Sequence, residues 1–250
     1  MLNQFKTYAF YYDLLYHDKD YRKESTYIHS LIQKYRTKSK SILSLGCGTG
    51  KYENELSKFG YEITGIDMSE QMIAIAQKSD NPKCQFVQGD IRTARLGKKF
   101  DIVISLFHVI NYQTTDEDLL SAFKTVHEHL INGGIFLFDF WYGPAVLAEP
   151  PYPRTKTFEN DSLRINRTAF PKVDKSNNTV TVDYKVKIFN KLLNETEHLH
   201  EVHRLRYLFL PELEFMLKNL PLNIVSSQAW LSDSKRLNSK SWYGLIVASK

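Results

Sequence analysis

Between about Tyr21 and Lys38 the apolar positions Tyr27, Ile28, Leu31, Ile32 and Tyr35 recur at three- and four-residue spacing, which predicts an amphipathic helix. The period then changes. Ser41-Ile42-Leu43-Ser44-Leu45 is a short apolar run that ends in glycines, the pattern of a buried strand entering a tight turn. The rhythm repeats as helix Tyr52–Lys58 with strand Glu62–Ile66, and helix Glu70–Lys78 with strand Cys84–Gln88. Strand Phe100–Leu106, helix Asp116–His129 and, after Gly133-Gly134, strand Ile135–Phe140 follow. Strands that alternate with helices enter one sheet in the same direction, so the pattern predicts parallel βαβ units.

Past Tyr142 the pattern breaks. Pro144, Pro150, Pro151 and Pro153 interrupt regular structure. Residues from about Thr155 to Leu210 then alternate with period two, as in Val180-Thr181-Val182-Asp183-Tyr184-Lys185-Val186. This is antiparallel patterning, with Asn177-Asn178 and Leu193-Asn194 as turns. A helix over Pro211–Asn219, with proline at its start, precedes strands over Leu222–Ala229 and Trp242–Ala248. The expected fold class is α/β: a doubly wound, Rossmann-like, mostly parallel seven-stranded sheet with an antiparallel β-rich insertion after strand five. Residues 1–143 would hold N-terminal helices and the α/β core, 144–210 the inserted layer on the substrate side, and 211–250 the last helix and two strands.

Composition narrows the class. At 250 residues the chain fits one such domain with its insertion. Hydrophobic residues at 42% and charged residues at 24% allow a packed core and exclude wholesale disorder. The net charge of +5 is scattered, without the Lys/Arg block that tracks a phosphate backbone, so no nucleic-acid partner is expected. Two cysteines, Cys47 and Cys84, give no disulfide framework. With no charged-then-apolar leader and no apolar run long enough to span a bilayer, a cytoplasmic location without a membrane partner is expected.

The candidate chemistry centres on Gly46-Cys47-Gly48-Thr49-Gly50. A strand feeding such a turn lets a ligand approach bare backbone, because glycine has no side chain to block it. Neither phosphate-binding alternative fits: Lys51 stands where a dinucleotide fingerprint needs its third glycine, and Leu45 and Tyr52 break a P-loop. Asp67 closes the second strand, where a carboxylate can accept hydrogen bonds from both hydroxyls of a ribose. Asp90 closes the third, placed to accept a bond from an adenine amino group, and Met68 and Ile91 suit the two faces of the ring. Either acid alone could be a helix cap. Three such elements at the ends of three successive strands point to an adenosine-bearing ligand.

Ile42-Leu43-Ser44-Leu45-Gly46-Cys47-Gly48-Thr49-Gly50, with Gly65-Ile66-Asp67-Met68-Ser69 and Gln88-Gly89-Asp90-Ile91-Arg92, resembles the class I S-adenosylmethionine (SAM)-dependent methyltransferases. One departure is visible. That family usually carries an acid at the place of Ser44, where it contacts the amino end of the ligand. A narrower resemblance rests on Tyr12-Asp13-Leu14, Lys19-Asp20-Tyr21, Asp90-Ile91-Arg92, Leu96-Gly97-Lys98-Lys99-Phe100 and His203-Arg204-Leu205. These are similar to the TDP-sugar N,N-dimethyltransferases of antibiotic aminosugar pathways (desosamine and mycaminose). The resemblance implies that SAM is the cofactor, with Tyr12 and Tyr21 at its methionine carboxylate. Gly46, Cys47, Gly48, Asp67, Met68, Met72, Asp90, Ile91 and Leu106 would make up the rest of its site. On the substrate side it implies Trp141 and Tyr142 where the family has paired tryptophans, Tyr243 where it has an arginine, and Arg204.

His108 and Tyr112, after strand four, are the candidate catalytic residues: an imidazole titrates in a useful range, and Tyr112 takes the position of a family histidine. The bland alternative for His108 is a surface or N-terminal-lid contact. His198, His200 and His203 suggest a metal at first sight, but on a strand His203 points away from the other two, so no metal is expected. Glu149-Pro150-Pro151-Tyr152 is similar to the Asn-Pro-Pro-Tyr box of nucleic-acid amino methyltransferases, yet it follows strand five rather than four and reads as a loop. The expected function is N-methylation of a small molecule, a nucleotide-linked aminosugar. O- or N-methylation of another metabolite, a SAM-binding partner protein without catalysis, and methylation of RNA or protein are the competing readings. A second copy of the chain, as a homodimer, is the candidate macromolecular partner.

Overall fold

The computed structural model describes residues 11–232 and 235–250, so residues 5–10 of the aromatic opening segment lie outside it. Residues 11–15 form a helical turn ahead of α1 (Tyr21–Tyr35), which Asp20 caps by accepting the Lys23 N–H at 2.8 Å. The helix ends at Tyr35 rather than Lys38. Arg36 leaves the helical path and donates to the Gly133 carbonyl, with its other arm 3.4 Å from Asp101.

The remaining core elements are β1 (Ser41–Leu45), α2 (Lys51–Ser57), β2 (Glu62–Asp67), α3 (Glu70–Gln77), β3 (Cys84–Gln88), β4 (Phe100–Ser105), α4 (Asp116–His129) and β5 (Leu130–Trp141). After the inserted layer come α6 (Leu210–Lys218), β10 (Asn223–Ala229) and β11 (Tyr243–Ser249). Seven strands form one sheet in the order β10-β11-β5-β4-β1-β2-β3, antiparallel only where β11 meets β10 and β5. β5 begins earlier than the apolar run predicts. Gly133, at φ +72°, and a register shift between Phe100 and Ile102 let the strand absorb its glycines as an irregularity.

Period-two alternation along β5 divides the core. Phe136, Phe138 and Phe140 face α4 and α6 with Phe123, Val126 and Leu213. Ile135 and Leu137 face α1 and α2 with Ile28, Leu31 and Leu56. Asp139 lies on that second face, an acid 1% exposed at the strand's carboxyl end. Since β2 and β4 flank β1 on opposite sides, the chain reverses direction there and leaves a crevice at the carboxyl ends of the strands.

Pro144 does not simply break structure: it starts the short helix α5 (Gly143–Ala148), where its missing N–H has no partner to lose. β6 (Arg154–Glu159), β7 (Leu163–Asp174), β8 (Thr179–Asn190) and β9 (Glu195–Arg206) form a separate antiparallel meander. Its tight turns end on Asn178 and Asn194, both at positive φ, where asparagine is tolerated. The layer docks on the crevice in two places. Ile165, Val186 and Ile188 bury Tyr11, Leu15 and Met72, and Val180, Val182 and Leu205 pack with Tyr112 and Trp141. Among the described residues no helix is long and apolar enough to cross a membrane.

Candidate active site

A cleft opens where β1 ends. The N–H groups of Gly46 and Cys47 both donate to the Ile66 carbonyl, at 2.8 and 2.9 Å, which pins the turn to β2. Gly46 has φ +77°, and a Cβ there would fall 2.5 Å from both Val109 methyls, so only glycine fits. Gly48 differs: a Cβ would meet nothing within 4 Å, so its backbone faces open space in the cleft. The turn is thus built for a ligand to lie against it.

Asp67 turns its carboxylate into the same space. Oδ2 accepts the Gly48 N–H and Oδ1 the Ser69 N–H, each at 2.9 Å, which leaves one lone pair on each oxygen for two ligand hydroxyls. Burial pushes this carboxyl above its ordinary value, against those two bonds. Asp90 also lines the cleft but is more fully engaged than the sequence suggests. Arg92 donates its backbone N–H at 2.9 Å and its guanidinium at 2.6–3.0 Å, and passes its other arm to Asp118 at 2.8 Å. Burial works to raise the Asp90 carboxyl; the Arg92 hydrogen bonds and charge outweigh it and hold the group below its usual range. Met68, Met72, Ile91 and Leu106 supply apolar surface beside the two acids.

Tyr12 and Tyr21 close the opposite wall, and burial pushes both phenols up. Tyr21 packs edge-on against Tyr52, ring centroids 5.1 Å apart. Glu24, behind them, accepts from the Tyr52 hydroxyl and pairs with Lys19 at 2.6 Å. Asp13 ties this segment to the glycine turn through Thr49 at 3.0 Å and Lys51 at 3.2 Å.

The sequence marks Ser44 only as the place of a missing acid, and does not mark its partner. The Ser44 hydroxyl donates to Glu53 Oε1 at 2.5 Å. Glu53 reaches in from α2, is 1% exposed, and lines the cleft. Burial pushes its carboxyl up to about 7, only partly offset by the Ser44 bond. An acid raised on folding binds a proton that the unfolded chain has released, so stability falls as pH rises from about 4.5 to 7. Glu53→Gln is expected to remove that slope from the melting temperature of the ligand-free protein, an effect on the order of 3 kcal/mol above pH 7.

Beyond the glycine turn lies a second set of groups. Phe107 and His108 both adopt positive φ, 66° and 64°, strained for side chains of that size. Asp139 holds the kink by accepting the His108 backbone N–H at 3.1 and 3.2 Å. Its Oδ2 also lies 2.6 Å from His108 Nδ1, at an angle that falls short of an aligned hydrogen bond. Tyr112 ends the 3₁₀ turn Val109–Tyr112, anchored by Asn111, which donates to the Arg206 carbonyl and accepts the Trp141 N–H. The Tyr112 hydroxyl lies 2.8 Å from His203 Nδ1 on β9, and His203 Nε2 lies 3.6 Å from Glu201, which in turn accepts from Tyr11. Burial pushes the Tyr112 phenol up.

The structure brings His108, Tyr112 and Trp141 into the cleft with every residue expected at the cofactor. It does not bring the other three. Arg204 is exposed on the outer face of β9; strand alternation gives its place to His203, which is 3% exposed. Tyr142 packs with Phe140 against the core behind β5. Tyr243 stands outside the cleft wall, 42% exposed, stacked on His108 at 4.6 Å. Asp139 had a signal, a lone acid in the apolar run Ile135–Phe140, whereas His203 and Glu201 gain meaning only from the pairing of β9 with β8. His198 and His200 point to the outside, with His200 on Asp183 at 2.9 Å, and among the described residues no cluster has metal-binding geometry.

A doubly wound sheet with a glycine turn and two strand-end acids facing one cleft defines a nucleoside-gripping α/β protein. Residues 42–134 match the family model described as a methyltransferase domain. The chain is 35% identical to the dTDP-3-amino-3,4,6-trideoxy-alpha-D-glucopyranose N,N-dimethyltransferase of Streptomyces venezuelae over 55% of its own length, a match that spans 59% of that enzyme. It is 25% identical to the dTDP-3-amino-3,6-dideoxy-alpha-D-glucopyranose N,N-dimethyltransferase of Streptomyces fradiae, over 76% of this chain and 75% of the relative. The crystal structure of Streptomyces venezuelae DesVI superposes with a TM-score of 0.81 at 25% identity, covering 95% of this chain and 96% of the other. Residues 42–134 thus carry the pattern of a methyltransferase domain, and the chain is similar to these N,N-dimethyltransferases.

Proposed function

We propose that this protein transfers the methyl group of SAM to an amino nitrogen of a small molecule, an aminosugar linked to a nucleotide. One observation carries the reading. A single cleft joins the Gly48–Asp67 grip to a wall of ionisable and aromatic side chains, His108, Tyr112, His203, Trp141 and Tyr184. Bound SAM supplies an electrophilic methyl on a sulfonium sulfur. Asp67 would hold the ribose, Met68, Ile91 and Leu106 the adenine, and Tyr12 and Tyr21 the methionine end. On the acceptor side Trp141 and Tyr184 offer flat faces to a sugar ring. Arg167, its guanidinium 4.9 Å over Tyr184, adds positive charge suited to a diphosphate.

An amine arrives as an ammonium and must lose a proton before it attacks. With Nδ1 turned toward Asp139, Nε2 of His108 would be the nitrogen that accepts the proton. A base in that position contributes about 10²–10⁴-fold, while holding the reactants in line contributes up to roughly 7–11 kcal/mol. A hydroxyl acceptor is the second reading, favoured by the same His108–Asp139 pair, since an alcohol needs a base more than an amine does.

The separating experiment incubates the protein and SAM with a TDP-aminosugar, its hydroxyl counterpart and an unrelated free amine, and reads product mass. Methylation confined to the TDP-aminosugar is expected. Methylation of the hydroxyl compound would replace that reading with O-transfer, and modification of the free amine alone would remove the nucleotide.

A further inference from the structure

We propose that Glu53 holds the positively charged amino group of the bound cofactor, doing from α2 what an acid at position 44 does in the wider family. The assignment rests on the cofactor reading above and adds a residue to it. It begins from a carboxylate that its surroundings do not neutralise. Glu53 is 1% exposed, its Oε1 is taken by the Ser44 hydroxyl, and its Oε2 is buried without a hydrogen-bond partner. Such an oxygen is costly to bury, and more so when the group is ionised.

The Ser44 hydroxyl and the backbone N–H of Glu53 itself offset only part of that cost, and among the described residues no cation does. Lys19 is committed to Glu24, and Lys51 to Asp13. Asp67 adds a second negative charge, and the Cys47 and Cys84 thiols, raised by burial, stay neutral. Burial holds the free Glu53 carboxyl near 7, so a cation arriving in the cleft would ionise it and be held by it. Both Glu53 and Ser44 line the cleft beside Gly46 and Gly48. Their sizes are complementary: the short serine at the end of β1 leaves room for the longer carboxylate from α2, and its hydroxyl fixes one oxygen while the other stays available. SAM brings two positive charges, an ammonium and a sulfonium. The ammonium is the group that carries N–H donors for Oε2, so it is the one assigned.

Calorimetric titration of wild type and Glu53→Gln with three ligands tests this. SAM has both charges, S-adenosylhomocysteine only the ammonium, and 5′-methylthioadenosine neither. The substitution is expected to weaken SAM and S-adenosylhomocysteine alike, by roughly 10- to 100-fold, and to leave methylthioadenosine nearly unchanged. Adding Ser44→Asp to Glu53→Gln is expected to restore most of the loss, which a purely structural role would not allow. Wild-type protein at pH 7 should also release protons on binding S-adenosylhomocysteine but not methylthioadenosine, a measurement that does not depend on the variant folding. Unchanged affinities in Glu53→Gln, equal weakening of all three ligands, or no proton release would overturn the assignment while the cofactor reading stands. Wild-type protein that binds none of the three would overturn both.

Discussion

Asp139→Asn is expected to lower kcat by about 10²–10⁴-fold while SAM affinity stays close to that of the wild type. The substitution separates two jobs. An amide side chain in place of the carboxylate would still offer an oxygen to the His108 backbone N–H, which Asp139 accepts at 3.1 and 3.2 Å, so the strained kink is retained. What disappears is the carboxylate oxygen 2.6 Å from His108 Nδ1, which on the proposed mechanism would orient the ring with Nε2 toward the acceptor. On the proposed mechanism Asp139 would be a positioning residue, and a pH–rate profile is the discriminating readout. The loss should affect kcat rather than KM, and the limb of the profile that reports the base should move. Full activity in Asp139→Asn, with an unchanged profile, would leave His108 as a wall of the cleft and return the base to Tyr112 and His203.

The other large effect is expected at Asp67. Asp67→Ala should weaken SAM and S-adenosylhomocysteine by more than about 100-fold, because two hydrogen bonds to a charged acceptor are lost at once, each worth roughly 1.5–3 kcal/mol. Part of the loss comes from the turn itself. The Gly48 and Ser69 N–H groups would lose the carboxylate that orients them, so the backbone surface that a ligand meets is less fixed. Asp67→Asn should fall between the two, since an amide accepts with one oxygen only. Asp90→Ala should cost less than Asp67→Ala, since Arg92 already occupies most of the Asp90 acceptor sites. Calorimetry on the three variants gives the ranking, and an Asp67→Ala protein that binds SAM normally would end the cofactor assignment.

The cofactor end of the cleft was legible from the chain because its residues are local in sequence and fixed by strand ends. Gly46, Asp67 and Asp90 each follow an apolar run, and in a parallel sheet all such runs end on one edge. The acceptor end was only half legible. Trp141 and Tyr112 line the cleft, but Arg204 lies on the outer face of β9, opposite its neighbour His203. Tyr142 lies away from the cleft for a related reason: the strand ends at Trp141, and its neighbour turns back against the core. Glu53 carries no mark in the sequence, since nothing in Lys51-Tyr52-Glu53-Asn54 shows which face is buried.

By itself, the sequence determined the order and type of the elements, the glycine turn and the strand-end acids, because backbone periodicity and the steric needs of glycine act over a few residues. Tertiary structure alone decided which polar side chains meet across the cleft. Asp139 and His108, Tyr112 and His203, and Ser44 and Glu53 are paired by strand register, by the docking of the β-layer and by the packing of α2 on the sheet. Those pairings depend on where whole elements come to rest, and a one-residue shift in any strand would exchange the residues facing the cleft for those facing away.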